Sequence, residues 1–256
     1  MTRAHFTAFD CHTHLDFPSF DPDRAQVCER ARQSGVDGWV IAGADPQHWD
    51  RVVAVADQTG GIAVLGVHPW WTDDATPAHL ESLAGRPLRG VGETGLDYAR
   101  ARTETGRNTQ KHWLREVLAI ARRRNLPVVL HCVRAWPDLV GILKRDGLPQ
   151  AGGMVHGWTG DPQATRALIR LGLHVSFGPA VTRPRNHKAR RSVREVPARQ
   201  LLVETDCPDQ MGAERRGEPA DLWRVIGAVA AAREEPEGDI ARTCRDNARR
   251  LFGLVH

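Results

Sequence analysis

The sequence predicts an α/β chain folded as one closed (β/α)8 (TIM) barrel, and three observations carry that reading. Short β-rich runs recur at 6–12, 37–42, 62–67, 88–92, 127–131, 153–156, 174–177 and 201–205. Segments with helical periodicity alternate with them, at 24–33, 47–58, 109–124, 136–145, 162–171, 187–195, 220–233 and 239–252. Repeated strand–helix units build a parallel sheet. The chain has 256 residues, 41% of them hydrophobic, which suits an eight-unit barrel with a sizeable core. An open doubly wound sheet is the alternative. No linker, charge block or low-complexity stretch divides the chain, so a single domain over 1–256 is expected.

The first strand closes within the stretch Phe9-Asp10-Cys11-His12-Thr13-His14-Leu15-Asp16. Side chains alternate along a strand, so His12 and His14 point the same way with Asp10 behind them, while Phe9 and Cys11 take the other face. Two imidazoles one strand repeat apart can grip a divalent ion. The first helix carries Ala25, Val27, Cys28 and Ala31, and the second Val52, Val53, Val55 and Ala56. The clearest stripe is Trp113, Leu114, Val117, Leu118, Ile120 and Ala121, in 109–124. The strands read as short apolar runs, as expected when both faces are covered. Glu93 ends the fourth, His131 the fifth, His156 the sixth and Asp206 the eighth. Six metal-capable side chains at C-terminal strand ends would converge on the rim where barrel active sites lie.

Composition narrows the class. No apolar run approaches a membrane span, and no charged-then-apolar leader is visible. Five scattered cysteines without a Cys-x-x-Cys pair point to reduced thiols and a cytoplasmic location. Net charge is +4, and all but Lys111, Lys144 and Lys188 of the 35 basic residues are arginine. There is no Gly-x-Ser-x-Gly elbow and no Walker-type phosphate loop, which leaves metal-activated water as the nucleophile. Imidazole and carboxylate ligands without thiolate suit Zn, Mn, Fe or, less comfortably, Mg.

Five motifs occur in order: Asp10-x-His12-x-His14-Leu15-Asp16, Gly66-Val67-His68-Pro69, Gly92-Glu93-Thr94-Gly95-Leu96-Asp97-Tyr98, Leu126-Pro127-Val128-x-x-His131-x-x-Arg134-Ala135 and Leu202-Val203-Glu204-Thr205-Asp206-x-Pro208. This array resembles the TatD family of metal-dependent deoxyribonucleases, in the amidohydrolase superfamily, over essentially the whole chain. The resemblance implies two divalent ions (Zn, Mn or Mg). His12, His14 and Asp206 would hold one, His131 and His156 the other, and Glu93 would bridge them. It further implies a 3′–5′ exonuclease acting on single-stranded DNA, some members also taking RNA. The sequence departs from the family pattern at Trp158, where Phe is usual, after Asp206, where a second proline is missing from 207–212, and before Glu218-Pro219, where an Asn is missing.

Asp206 and Glu93 are the expected catalytic residues, Asp206 as ligand and proton acceptor. Candidate substrate contacts are His68, Arg134, Tyr98 and Arg183. Trp70 and Trp71 either stack a base or pack locally, and Asn247 anchors the last helix. Loops on the same rim carry Arg100, Arg102 and Arg107, then Arg183, Arg185, Lys188, Arg190, Arg191 and Arg194, then Arg215 and Arg216. Such clustering favours a polyanion tracked by its phosphates, single-stranded DNA or another nucleic acid; a solvated helix face is the plainer reading. Two other functions stay open, a metal-dependent hydrolase of amides, esters or lactones and a nucleic-acid binder without nuclease activity.

Overall fold

The computed structural model describes residues 6–209 and 216–254. Its strands are β1 (Ala8–Thr13), β2 (Val36–Gly43), β3 (Ile62–Leu65), β4 (Val91–Asp97), β5 (Val128–Val133), β6 (Gly153–Val155), β7 (His174–Phe177) and β8 (Leu201–Val203). Its α-helices are α1 (Arg24–Gln33), α2 (Trp49–Thr59), α3 (Pro77–Gly85), α4 (Glu104–Arg124), α5 (Trp136–Asp146), α6 (Pro162–Arg170), α7 (His187–Glu195), α8 (Leu222–Arg233) and α9 (Glu237–Leu251). The strands form one sheet in chain order, each neighbouring pair parallel. Two backbone bonds join its ends beyond the regular strands: Asp206 N–H donates to His12 O (2.9 Å) and His14 N–H to Cys207 O (2.8 Å). The predicted TIM barrel is the observed fold, and the open sheet is excluded.

Hydrophobic burial divides the core into two layers. The larger lies between strands and helices, and one cluster includes Trp39 and Ile41 of β2, Leu114, Val117 and Leu118 of α4, and Val225 and Ile226 of α8. The smaller fills the barrel with Val40, Ala42, Val64, Val129, Met154 and Leu202, and Ala248, Leu251 and Phe252 close it from below. Asn247 fixes that plug, its amide donating to Ala198 O (2.7 Å) and Leu201 O (2.8 Å) at the entry to β8. Asn247 therefore anchors α9, as its place in the sequence implied. The period of two along a strand then matters. Two residues above Val129, Met154 and Leu202, the same face carries His131, His156 and Glu204. The apolar floor thus sets the height of a polar layer.

Most differences from the sequence prediction are at element ends. β4 extends through Asp97, well past 88–92, because Thr94, Gly95, Leu96 and Asp97 pair with Leu130, His131, Cys132 and Val133. A Gly-Glu-Thr-Gly string shows no apolar alternation, so Glu93 was expected at a strand end and lies inside the strand. β8 stops at Val203, short of 205, so Asp206 stands three residues beyond the strand. α3 was not predicted at all. Its cap is legible as Thr76 before Pro77, but only Leu83 is buried, too little for an apolar stripe. α4 begins at Glu104 rather than 109, since its first turn is polar and capped by Thr103, whose hydroxyl accepts from Gly106 N–H.

Gly92 sets the spacing of β4 against β5. Its φ is +137°, and a Cβ there would come within 2.4 Å of Val129 O. Gly92→Ala is expected to destabilise the fold by on the order of 1–3 kcal/mol and to displace the neighbouring Glu93. Chemical denaturation beside metal-binding measurements checks this; unchanged values for both would show that the strands have room to part.

Candidate metal centre and active site

The six expected side chains meet. Glu93, 2% exposed, lies between them. Its Oε2 is 3.3 Å from His12 Nε2 and 3.8 Å from His14 Nε2. Its Oε1 is 2.8 Å from His131 Nδ1 and 2.7 Å from His156 Nε2. Asp206 Oδ1 closes the first side, 3.4 Å from His14 Nε2 and 3.7 Å from His12 Nε2. The two carboxylate oxygens of Glu93 therefore face two different groups of donors. Among the described residues, four overlapping sets each hold three ligand atoms within 4.8 Å of one another: His12 with His14 and Asp206; His12 with Glu93 and His156; His68 with Glu93 and His131; His156 with Glu204 and Asp206.

Backbone geometry explains the convergence. The pairing of β1 with β2 shifts register between Asp10 and Thr13, and His12, within that irregular stretch, stacks on His156, 3.9 Å between centroids and 10° apart in plane. Asp10 pins the same crossing, accepting from Thr205 N–H (2.9 Å) and Thr205 Oγ1–H (2.6 Å). Burial pushes the Asp10 carboxyl up to about 8. Asp206 itself has φ +51°, a left-handed conformation that Asp tolerates better than most residues.

Outer partners fix which nitrogen of His14 and of His156 faces inward. His14 Nδ1–H donates to Ala42 O (2.9 Å), which leaves Nε2 toward Asp206 and Glu93. Behind His156 stands Glu204, fully buried, with Oε1 3.3 Å from His156 Nδ1. Gly157 N–H and the Ser176 hydroxyl both donate to Glu204. Behind His131 stands Asp97, its Oδ2 3.5 Å from Nε2 and accepting from the Trp70 indole N–H (2.7 Å). Glu204 and Asp97 were in the sequence motifs but were assigned no part in the site. The period of two above Leu202 was the available signal for Glu204.

The electrostatics suit a bound cation. Burial alone would raise the Glu93 carboxyl, yet the surrounding imidazoles, His156 foremost, hold it well below the usual carboxylate range. Asp206 is likewise lowered to about 2: burial opposes the shift, and the His14 hydrogen bond followed by the charges of the other imidazoles outweighs it. Burial would depress His14, but its bond to Asp206, then the Asp206 and Glu93 charges, raise it to about 9. Burial wins at His68, pushed down to about 4, and at His12, also lowered. Both His12 nitrogens and His131 Nε2 are buried with no hydrogen-bond partner among the described residues. Buried, unpartnered imidazole nitrogens beside two ionised carboxylates are the donor set a divalent cation needs.

A cation entering this cluster must displace the His14 proton, because His14 stays protonated up to about 9. Metal affinity should therefore rise as pH increases from 6 toward 9, by up to about tenfold per unit for each proton displaced. Calorimetric titration in buffers of different ionisation enthalpy counts that proton; an affinity flat across this range would contradict the assignment.

The remaining candidates are more scattered. His68 follows β3, and its Nε2 lies 3.2 Å from Glu93 Oε1, so it joins the ligand cluster as well as the pocket. Arg134 is exposed at φ +54° after β5 and takes part in no ion pair among the described residues. Tyr98 packs the loop: its hydroxyl donates to Asp138 Oδ2 (2.5 Å) and Arg107 covers its ring at 4.6 Å. Trp70 is held by Asp97 and covered by Arg100 at 4.5 Å.

The basic loops also sort themselves. Arg183, Arg185 and Lys188 are exposed where β7 leads into α7. Arg190 instead ties that loop together through Pro184 O (3.0 Å) and Arg183 O (2.9 Å). Arg194 was expected on the catalytic rim, but its Nε donates to Ala232 O (2.6 Å), at the far end of α8 and away from the rim. Eight residues of helix, His187 to Arg194, carry it there at about 1.5 Å per residue. Arg216 is engaged with Asp23, Glu218 and the Phe20 ring, and Arg215 lies outside the described residues.

The chain is similar to known proteins over almost its whole length. Residues 9–253 match the family described as TatD related DNase. A metal-dependent hydrolase of Bacillus subtilis, YabD, described as uncharacterized, is 33% identical, covering 96% of this chain and 99% of its own. A Pantoea vagans protein named 3′-5′ ssDNA/RNA exonuclease TatD is 32% identical, covering 96% of this chain and 100% of its own. The crystal structure of YjjV, a TatD homologue from Escherichia coli, superposes with a TM-score of 0.90 at 32% identity, over 97% of this chain and 98% of that one. With a family match across almost all of its length and a TatD homologue's fold, this chain belongs to the TatD family and is a metal-dependent hydrolase.

Proposed function

We propose that the protein is a single-domain phosphodiesterase, a 3′–5′ exonuclease on single-stranded DNA that also takes RNA, working with two divalent ions. The observation that carries the reading is Glu93, whose two oxygens address two separate groups of imidazoles within one buried cluster. His12, His14 and Asp206 would hold one ion, His131 and His156 the other, with Glu93 between them. Ions so held lower the pKa of water and neutralise charge building on phosphate oxygens.

This chain's own groups supply the remaining steps. Asp206, ionised across the working range, accepts the proton of the attacking water and releases it to solvent. Glu204 holds His156 through Nδ1, so that the ring does not turn during turnover, and Asp97 places its charge 3.5 Å behind His131 Nε2. His68 stays neutral at neutral pH and faces the same pocket. Arg134, Arg183, Arg185 and Lys188 would track the phosphates. Several relatives bear the exonuclease name at 31–34% identity, which supports the same reading. No described helix is long and apolar enough to cross a membrane. All five cysteines are free, in keeping with a cytoplasmic protein.

The test is purified protein with defined metals against labelled single- and double-stranded DNA, RNA and acyl substrates. Single strands should shorten from the 3′ end, and a chelator should stop it; hydrolysis of the acyl substrates alone would overturn the reading. The rim arginines give a second expected result. Reversing Arg185 and Lys188 to Glu should flatten the salt dependence of single-strand affinity by about 0.7 in log–log slope for each lost phosphate contact. Metal content should hold, because no ligand lies on that segment. An unchanged slope would make these residues a solvated face.

A further inference from the structure

Beside the metal cluster the same rim carries a hollow of about 290 Å³, bounded by the segments that follow β1, β2 and β3. Phe17, Pro18, Ala44, Val52 and Trp71 line it with apolar surface. Phe17 also lies against His14, 4.9 Å between ring centroids, so one wall of the hollow touches the cluster. Trp71 is 38% exposed, and none of the described residues ties its ring as Asp97 ties Trp70.

The polar groups around the hollow are committed elsewhere, with one exception. Arg51 donates to Asp16 O (2.5 Å) and to Asp21. Asp45 accepts from Gln47 N–H (2.9 Å) and faces His48 Nδ1 (2.8 Å). Asp16, which lines the hollow, is 7% exposed, and its Oδ1 has no hydrogen-bond partner among the described residues. Asp16 thus brings to the lining of the aromatic slot a buried carboxylate oxygen that lacks a hydrogen-bond donor among the described residues.

We propose that this hollow is a nucleobase subsite, which takes the terminal base of the strand whose phosphodiester lies at the cluster. The proposal rests on the nuclease reading above and adds the group that selects the base. Flat rings stack on Trp71 and Phe17 whatever their identity. Asp16 Oδ1 accepts from an exocyclic amine, which cytosine and adenine present and thymine replaces with an oxygen. The subsite therefore favours a strand ending in cytosine or adenine over one ending in thymine.

The experiment compares oligonucleotides that differ only at the 3′ end: cytosine, adenine, thymine or an abasic sugar. In the wild type, the abasic end should raise KM by about tenfold, the loss of one stacked base, and thymine should fall between. Trp71→Ala and Ala44→Leu, which fills the hollow, should bring base-bearing ends to the abasic KM. Both should leave hydrolysis of bis(nitrophenyl) phosphate unchanged. Asp16→Asn should keep the stacking gain and lose the cytosine preference, with metal content measured because His14 is near. Equal KM for base-bearing and abasic ends in the wild type overturns the proposal, as does an equal effect of Ala44→Leu on both. If the wild type cleaves no oligonucleotide, the nuclease reading fails by itself. Calorimetric binding of deoxycytidine monophosphate against deoxyribose 5-phosphate then decides the subsite: tighter nucleotide binding lost in Ala44→Leu supports it, and equal affinities overturn it.

Discussion

Asp206→Asn is expected to leave the barrel folded and to lower turnover by about 10²–10⁴-fold, the range for losing a positioned acid–base group. Asparagine keeps the shape and the backbone bond from residue 206 to His12 O. It removes the charge that Oδ1 presents to His14 at 3.4 Å and His12 at 3.7 Å. One consequence is separable from catalysis. Since the bond to Asp206 does most to hold His14 protonated up to about 9, the variant's His14 should titrate lower in the metal-free protein. Turnover at saturating metal, with circular dichroism for the fold and ring-proton titration for His14, checks each part. Near wild-type turnover with metal in excess would remove Asp206 from the proton-transfer role.

Glu93→Gln should be at least as damaging, for a different reason. Glu93 is the only described carboxylate with one oxygen on each group of imidazoles. An amide offers one oxygen and an NH2 donor, so one side of the cluster would meet a donor where it needs an acceptor. Bound metal should fall by at least one equivalent and turnover by more than about 10²-fold. The site is also buried, and without the Glu93 charge His156 loses the first of the interactions that raise it. Ring protons of His156 should therefore titrate lower in the variant. Full metal occupancy in Glu93→Gln would show that the carboxylate is not shared.

The fold was legible because each β-rich run is short, apolar and followed by a helix stripe, as with Val128–Val133 and then Trp136–Asp146. It was less legible where polar residues carry the regular structure. α3 has Leu83 as its only buried residue, and β4 passes through Gly-Glu-Thr-Gly, so neither shows its period. The ligand motifs were legible residue by residue, and the structure brings His12, His14, Glu93, His131, His156 and Asp206 together. Three-dimensional partners were not. Nothing local in the sequence ties Tyr98 to Asp138 forty residues on, or Arg194 to Ala232. For the same reason His68 read as a substrate contact, while its ring stands 3.2 Å from Glu93.

The most direct measurement is metal stoichiometry against activity on one preparation. The protein is stripped with a chelator, titrated with Zn or Mn, and assayed at each step for bound metal and for cleavage of a single-stranded oligonucleotide. The account predicts an inactive stripped protein, saturation near two equivalents, and activity that returns with the second. Full activity with less than about a tenth of an equivalent bound would contradict it.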